Sequence, residues 1–272
     1  IICGLKIKNV DILNKKLRYI ISANVKKDLK KQKIISVKRR AKFLLVNIDN
    51  NKTLLIHLGM TGKIFILDRR KKVTFKTSFY YYSNFLRKHN HLRIKFFNNL
   101  ELIYNDVRKF GFIKLIKTND LNNHSNLLNL GPEPLSKSFN FKYLKFKCLK
   151  SQKNIKNLLM DQTFVSGLGN IYVNEVLFMS KIKPLRICSS LKLEEFKNLI
   201  FNIKKILKFS ISKGGSSIRD FKDTLGKSGN FQQFFYVYGQ SNKKCSRISC
   251  TGKIKKIRIS NRSSFYCNVC QN

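Results

Sequence analysis

The sequence predicts an α+β, multidomain chain: a β-sandwich or barrel-like first half, a helical second half, and a cysteine-rich tail folded around a metal. Three observations carry this. Short apolar runs broken by turn residues fill the stretch before position 130. Apolar residues three and four apart fill the stretch after it. Four of the 7 cysteines crowd into residues 245–272. A length of 272 residues is itself a prior of about two domains.

In the first half, Phe43–Ile48 and Leu54–Leu58 are apolar runs separated by the turn-forming Asp49-Asn50-Asn51. Lys63–Leu67 follows a Gly59-Met60-Thr61-Gly62 corner. Leu92–Phe97 and Leu100–Tyr104 flank Asn98-Asn99, a spacing that suits a tight hairpin, and Phe112–Ile116 closes the series. Gly131-Pro132-Glu133-Pro134 then marks a boundary, because prolines so close together propagate neither regular structure. Beyond it, Ile155, Leu158, Leu159 and Gln162 read as a short amphipathic helix ended by Gly167-Leu168-Gly169. A second helix starts near Asn170 and carries Ile171, Val176 and Leu177 inward. Leu193, Phe196, Ile200, Ile203 and Leu207 make a third, stopped at Gly214-Gly215. The expected division is 1–130, 131–234 and 235–272, with no internal repeat.

Lys and Arg number 56 against 14 Asp and Glu, a net charge of +42. Such a surplus favours a polyanion partner with salt-steep affinity, since Lys and Arg displace the counterions condensed on phosphates. Part of it reads as compositional drift, because Asn, Ile and Phe are abundant beside Lys. A hydrophobic content of 43% excludes wholesale disorder. No apolar run approaches the ~18 residues of a membrane span, so no membrane partner is expected. Cys3, Cys148 and Cys188 are isolated in sequence and read as small buried hydrophobes or inert thiols.

Cys245-x4-Cys250 and Cys267-x2-Cys270 supply two thiolate pairs joined by a hairpin-length insert. Four soft sulfurs suit one tetrahedral Zn²⁺ with no vacancy for water, hence a structural zinc ribbon. An odd cysteine total, so clustered, argues for a reducing compartment rather than a disulfide framework. Lys253, Lys255, Lys256, Arg258 and Arg262 make the insert a basic finger.

Several strings, taken in order, resemble the formamidopyrimidine-DNA glycosylase family. They are Lys38-Arg39-Arg40-Ala41-Lys42-Phe43-Leu44, His57-Leu58-Gly59-Met60-Thr61-Gly62, Asp106-Val107-Arg108-Lys109-Phe110-Gly111 and Leu130-Gly131-Pro132-Glu133-Pro134-Leu135. Gly167-Leu168-Gly169-Asn170-Ile171-Tyr172, Gly214–Phe221 and Asn261–Cys267 continue the series across essentially the whole chain. The resemblance implies a β-sandwich catalytic domain, a helix–two-turns–helix domain and a terminal zinc ribbon. It implies excision of oxidised purines (8-oxoguanine, formamidopyrimidines) from double-stranded DNA, then β,δ-elimination at the abasic site through a Schiff base. A bacterial, cytoplasmic, nucleoid-associated enzyme that works as a monomer is the corresponding expectation. The family's nucleophile is the amine of an N-terminal proline in a Pro-Glu-Leu-Pro-Glu leader. Ile1-Ile2-Cys3-Gly4-Leu5 matches the helix just after that leader, so efficient family chemistry is not expected of these residues alone.

Residue by residue, Lys42 matches the lysine credited with proton transfer around the lesion, and Arg262 the ribbon arginine credited in phosphate binding and δ-elimination. His89, Arg108, Lys156 and Asn170 match DNA-binding positions; Gln152 falls at another, where the family commonly has a basic residue. Met60, Arg108 and Phe110 match the trio inserted into the hole left by the extruded base, and their glycine neighbours place Met60 and Phe110 at corners. The segment 216–238 resembles the loop over that base. The x4 cysteine pair and Val107 in place of a proline depart from the pattern without removing a ligand. His57 and His124 offer no functional case, and His57 is expected to pack near a strand end. The alternatives are a non-enzymatic damaged-DNA-binding protein and an endonuclease VIII-type enzyme acting on oxidised pyrimidines; the trio is that of the purine-lesion branch.

Overall fold

Apolar runs broken by Asn and Gly bury themselves only by pairing, and the first half of the chain does so in two antiparallel sheets. The computed structural model describes residues 1–70, 73–75 (backbone only), 87–215 and 231–272. Among these, 1–128 form one compact unit, and 129–215 with 231–272 form another.

The first unit runs β1 (Ile7–Ile12), α1 (Asn24–Leu29), β2 (Ile34–Arg40), β3 (Phe43–Ile48), β4 (Lys52–His57), β5 (Gly62–Asp68), β6 (Val73–Phe75), β7 (Asn90–Phe96), β8 (Leu100–Asp106) and β9 (Phe112–Lys117). One sheet has the order β1-β7-β8-β5-β6 and the other β2-β3-β4-β9. Ile66, Ile94 and Leu102 of the first meet Val46, Leu54, Ile56 and Ile113 of the second, with Val25 and Leu29 of α1 joining them. This is a β-sandwich, stabilised mainly by apolar area withdrawn from water. Three of its strands escape sequence reading. β2 is mostly solvent-facing and ends in Lys38-Arg39-Arg40, β1 mixes Lys, Asn and Asp into its apolar residues, and β6 is only three residues long.

Two local expectations are corrected. Ile1–Leu5 is not helical: a turn at Cys3-Gly4, with Gly4 at φ +84°, leads straight into β1. The β7–β8 connection takes in Phe97 as well as Asn98-Asn99, with Asn99 left-handed at φ 66°. Cys3 is exposed, whereas Cys148 and Cys188 are buried with their thiols close enough to influence each other's charge, so those two are not isolated in space.

The second unit runs α2 (Phe141–Leu149), α3 (Ile155–Met160), α4 (Asn170–Met179) and α5 (Leu193–Ser212), then the hairpin β10 (Ile254–Ile259) and β11 (Arg262–Cys267). Asn140 and Asn154 cap α2 and α3 by accepting the N–H groups of Tyr143 and Asn157. α3 ends at Met160, short of Gln162, whose side chain instead builds the turns before α4. Gln162 Nε2 donates to Leu168 O at 3.0 Å and Oε1 accepts from Gly167 N at 2.9 Å. Val176 and Leu177 are fully buried, but Ile171 is only half-buried and Val173 takes the inward place. α5 stops where Gly214 and Gly215 adopt φ of 79° and 88°. Phe178 of α4 packs with Ile254, Phe265 and Cys267, so the ribbon shares a core with the helices. Among the described residues no helix is long and apolar enough to cross a membrane.

Candidate nucleic-acid interface and metal centre

In the first unit, Lys42 sits on the two-residue turn joining β2 to β3, where Ala41 takes φ 52° and the lysine is exposed. Its charge reaches His57 at the end of β4. Burial first, then Lys42 and Arg18, hold His57 below the usual imidazole range, with Asp106 opposing. The neutral ring stacks on Phe112 at 5.4 Å and accepts the Gly59 N–H at Nδ1 (3.1 Å), which is a packing role.

Two corners carry the predicted trio. The first, residues 58–62, is closed by Gly62 N donating to Leu58 O at 2.8 Å. The second, residues 106–111, turns through Lys109 at φ 61°. They touch backbone to backbone: a Cβ on Gly59 would lie 2.6 Å from Gly111 N and 2.7 Å from the Phe110 carbonyl carbon. Met60 is 59% exposed and Phe110 46%. The Arg108 guanidinium lies 4.6 Å from the Phe110 ring centroid, a cation–π contact. An apolar tip, an aromatic and a stacked guanidinium therefore project together, a combination able to fill an apolar slot and hydrogen-bond its rim.

Beneath the corners is a network that sequence reasoning leaves unassigned. The fully buried Asp106 carboxylate accepts from Thr61 Oγ1 (2.5 Å) and Gly111 N (2.8 Å). Arg108 N donates to Thr61 Oγ1 at 3.1 Å, and His91 Nε2 lies 2.9 Å from Asp106 O. Asp106 and Thr61 stand inside the quoted strings, but a bond across 45 positions has no local signature. His89 ends a short 3₁₀ turn before β7 and is half-buried.

In the second unit, the β10–β11 turn at Ser260-Asn261, with φ of 45° and 61°, presents exposed Arg262 as the first residue of β11. Lys256, Arg258, Asn261 and Ser263 line a cleft of about 450 Å³ there. The next three residues are held by the helices. Lys156 of α3, 1% exposed, donates to Ser263 O at 3.2 Å and to Ser264 Oγ. Asn170 Nδ2 donates to Ser263 O at 3.0 Å, and Asn174 Oδ1 accepts Phe265 N at 2.7 Å. Lys156 thus faces the ribbon, not solvent, and burial together with the nearby Arg262 charge brings its pKa down to about 8. Asn170 is half-buried at the start of α4, whose first turn has no side-chain cap, leaving N–H groups suited to an anion. Gln152 is exposed just before α3. Glu175, also missed from sequence, is buried and accepts the N–H groups of Tyr236, Val237 and Tyr238; burial raises its pKa against those bonds. The described part of the predicted lesion loop is 231–238; the rest, 216–230, lies outside the described residues.

The Sγ atoms of Cys245, Cys250, Cys267 and Cys270 lie within 4.8 Å of one another, and none is disulfide-bonded. Cys245–Cys270 and Cys250–Cys267 are separated by 3.8 and 3.6 Å. Zinc–sulfur bonds of about 2.3 Å set tetrahedral edges of about 3.8 Å, so the sulfurs fit a zinc-sized ion. Gly252 is required beside them, because a Cβ there would lie 2.5 Å from Cys267 Sγ. Despite burial, N–H groups of Cys270 and Val269 hold the Cys267 thiol below its ordinary range. The longer x4 knuckle carries Arg247, whose Nη2 donates to Phe178 O (2.5 Å) and Met179 O (3.2 Å), capping α4 with a cation.

The first unit is a sandwich bearing a glycine-cornered wedge, and the second is a set of helices hydrogen-bonded to a four-cysteine ribbon. The family model for the formamidopyrimidine-DNA glycosylase N-terminal domain matches residues 1–113, and that for its H2TH domain residues 130–222. The formamidopyrimidine-DNA glycosylase of Rickettsia bellii is 39% identical over 268 residues, covering 98% of this chain and 92% of the relative. That of Wolbachia pipientis is 40% identical over 269 residues, with the same coverage. The crystal structure of Lactococcus lactis Fpg with abasic-site DNA superposes with a TM-score of 0.84 at 36% identity, covering 100% of this chain and 94% of the other. A complex of the same protein with DNA containing Fapy-dG has the same TM-score and identity. The chain belongs to the formamidopyrimidine-DNA glycosylase family.

Proposed function

We propose that this chain supplies the DNA-binding and proton-transfer machinery of a base-excision glycosylase that removes oxidised purines and cleaves the resulting abasic site by β,δ-elimination. The carrying observation is the exposed Met60, Arg108 and Phe110 wedge on two joined corners. A base taken out of the stack leaves a hole, and an apolar tip with an aromatic fills it while the guanidinium hydrogen-bonds the orphaned partner. Lys42 is the proton-transfer group around the lesion. Arg262 grips the neighbouring phosphate and assists the second elimination. His89, Gln152 and Asn170 contact the DNA backbone, while Lys156 acts on it through the strand it holds. Double-stranded DNA carrying the lesion or an abasic site is the partner, as in the Lactococcus complexes. The four thiolates hold one structural zinc, which when bound fixes the ribbon that carries Arg262. Modules 1–130, 131–234 and 235–272 are the corresponding functional division.

The attacking amine in this reading belongs to an N-terminal proline, and the prolines of these 272 residues are Pro132, Pro134 and Pro184. The test is borohydride trapping on an 8-oxoguanine duplex, with the chain as given and with Pro-Glu-Leu-Pro-Glu placed before Ile1. A covalent adduct only with the extended chain is expected. No adduct from either, with tight abasic-DNA binding, would make this a damaged-DNA-binding protein instead.

A further inference from the structure

We propose that Asp106 is a positioning residue that locks Met60, Arg108 and Phe110 into a single wedge. The inference rests on the reading above that these three side chains enter DNA. Asp106 ends β8, on the sheet away from the Lys42 turn, and its carboxylate is fully buried with no salt-bridge partner among the described residues. A buried charge without a counter-ion is costly unless its lone pairs are filled by directed donors. Here each oxygen has one: Oδ1 takes the Thr61 hydroxyl from the first corner, and Oδ2 takes the Gly111 N–H from the second.

The consequence is geometric. Met60 directly precedes Thr61, Phe110 directly precedes Gly111, and Arg108 is tied back through its own N–H to Thr61 Oγ1. One carboxylate therefore sets the backbone on which all three tips stand. Its own main chain is packed in turn against His91, whose Nε2 lies 2.9 Å from Asp106 O and whose Nδ1 lies 3.2 Å from Asn14 O. An apolar residue at this position would fill the space and spare the desolvation; directing two donors at once is what only the carboxylate does. A loosely held wedge would still be exposed, but its entry into a duplex would require ordering three side chains at that moment.

The test needs no catalysis, so the chain as given serves. It is titrated into a duplex carrying a tetrahydrofuran abasic analogue opposite 2-aminopurine, whose fluorescence rises when the wedge unstacks it. The wild type and Thr61→Ser are expected to give the full rise, because serine keeps the hydroxyl. Thr61→Val, which keeps the Gly111 arm, and Asp106→Asn are expected to bind this duplex about tenfold more weakly, about 1.4 kcal/mol. They should also lose half or more of the saturating rise, with affinity for undamaged duplex unchanged. Met60→Ala/Phe110→Ala reports whether the tips enter DNA at all. If that variant loses the rise while Thr61→Val and Asp106→Asn keep wild-type amplitude and affinity, the Asp106 assignment alone is overturned. If the tip variant behaves as wild type, the underlying reading and the assignment both fall. Circular dichroism identifies any unfolded variant, and if Asp106→Asn is one, the serine–valine pair at Thr61 decides.

Discussion

Gly111 shows how closely the first unit is built around its corners. A Cβ there would overlap the Tyr104 hydroxyl and lie 2.5 Å from His57 O, and Tyr104 is itself held by donating to that carbonyl at 3.1 Å. Gly111→Ala is therefore expected to destabilise the fold by about 1–3 kcal/mol, measured by urea unfolding. Lys156 gives a pH signature. With its folded pKa at about 8 against an ordinary 10.5, both states are neutral above 10.5. As pH falls from there toward 8 the unfolded chain takes the proton first, so stability declines across that window. Wild type minus Lys156→Met, followed by urea melts from pH 7.5 to 10.5, should show stability rising with pH; a flat difference would place the ammonium in water. The sequence presents Lys156, Asp106 and Thr61 as characters in recognisable strings. Their bonds are to residues far along the chain, so only the fold reveals that one lysine looks inward and one aspartate serves two turns.

Among the elements, α4 organises the second unit. Asn174 reaches the β11 backbone, Glu175 captures 236–238, and its last carbonyls receive Arg247. Asn174→Ala leaves the buried Phe265 N–H without a partner and should cost about 1–3 kcal/mol in denaturant unfolding, with Arg262 left on a less ordered strand. The existence of α4 and α5 is legible from Val176, Leu177, Phe196 and Ile203 at helical spacing, all of them fully or almost fully buried. α2 is not, because Phe141-Lys142-Tyr143-Leu144-Lys145-Phe146-Lys147 alternates like a strand while only Leu144 and Cys148 are buried in that helix. The end of α3 is misread for a related reason: Gln162 sits at the right spacing, but its amide is taken by the turn backbone.

For the molecule as a whole, the four cysteines are the most legible feature, since ligand type and spacing alone suffice to expect the cluster. What spacing does not convey is that the ribbon shares a core with α4 through Phe178, Phe265 and Cys267. Chelation is accordingly expected to lower the thermal midpoint and to weaken near-ultraviolet tyrosine dichroism, because Tyr238 packs edge-on to Phe265 at 5.2 Å and the chain has no tryptophan. Metal analysis should return one zinc per chain before treatment, and Cys267→Ser should reproduce the chelated state. The two corners carry a different lesson. Met60, Arg108 and Phe110 stand out in solvent, while Thr61, Asp106 and Gly111, which hold them, are buried, and Gly59 abuts the backbone of the second corner. Tip and frame are thus separable under mutation: the tips are open to exchange for other shapes and hydrogen-bonding groups at little cost in stability, and the frame tolerates almost none. If the tips enter DNA as proposed, their preference for the opposing base is free to drift, or be redesigned, without the fold being solved anew.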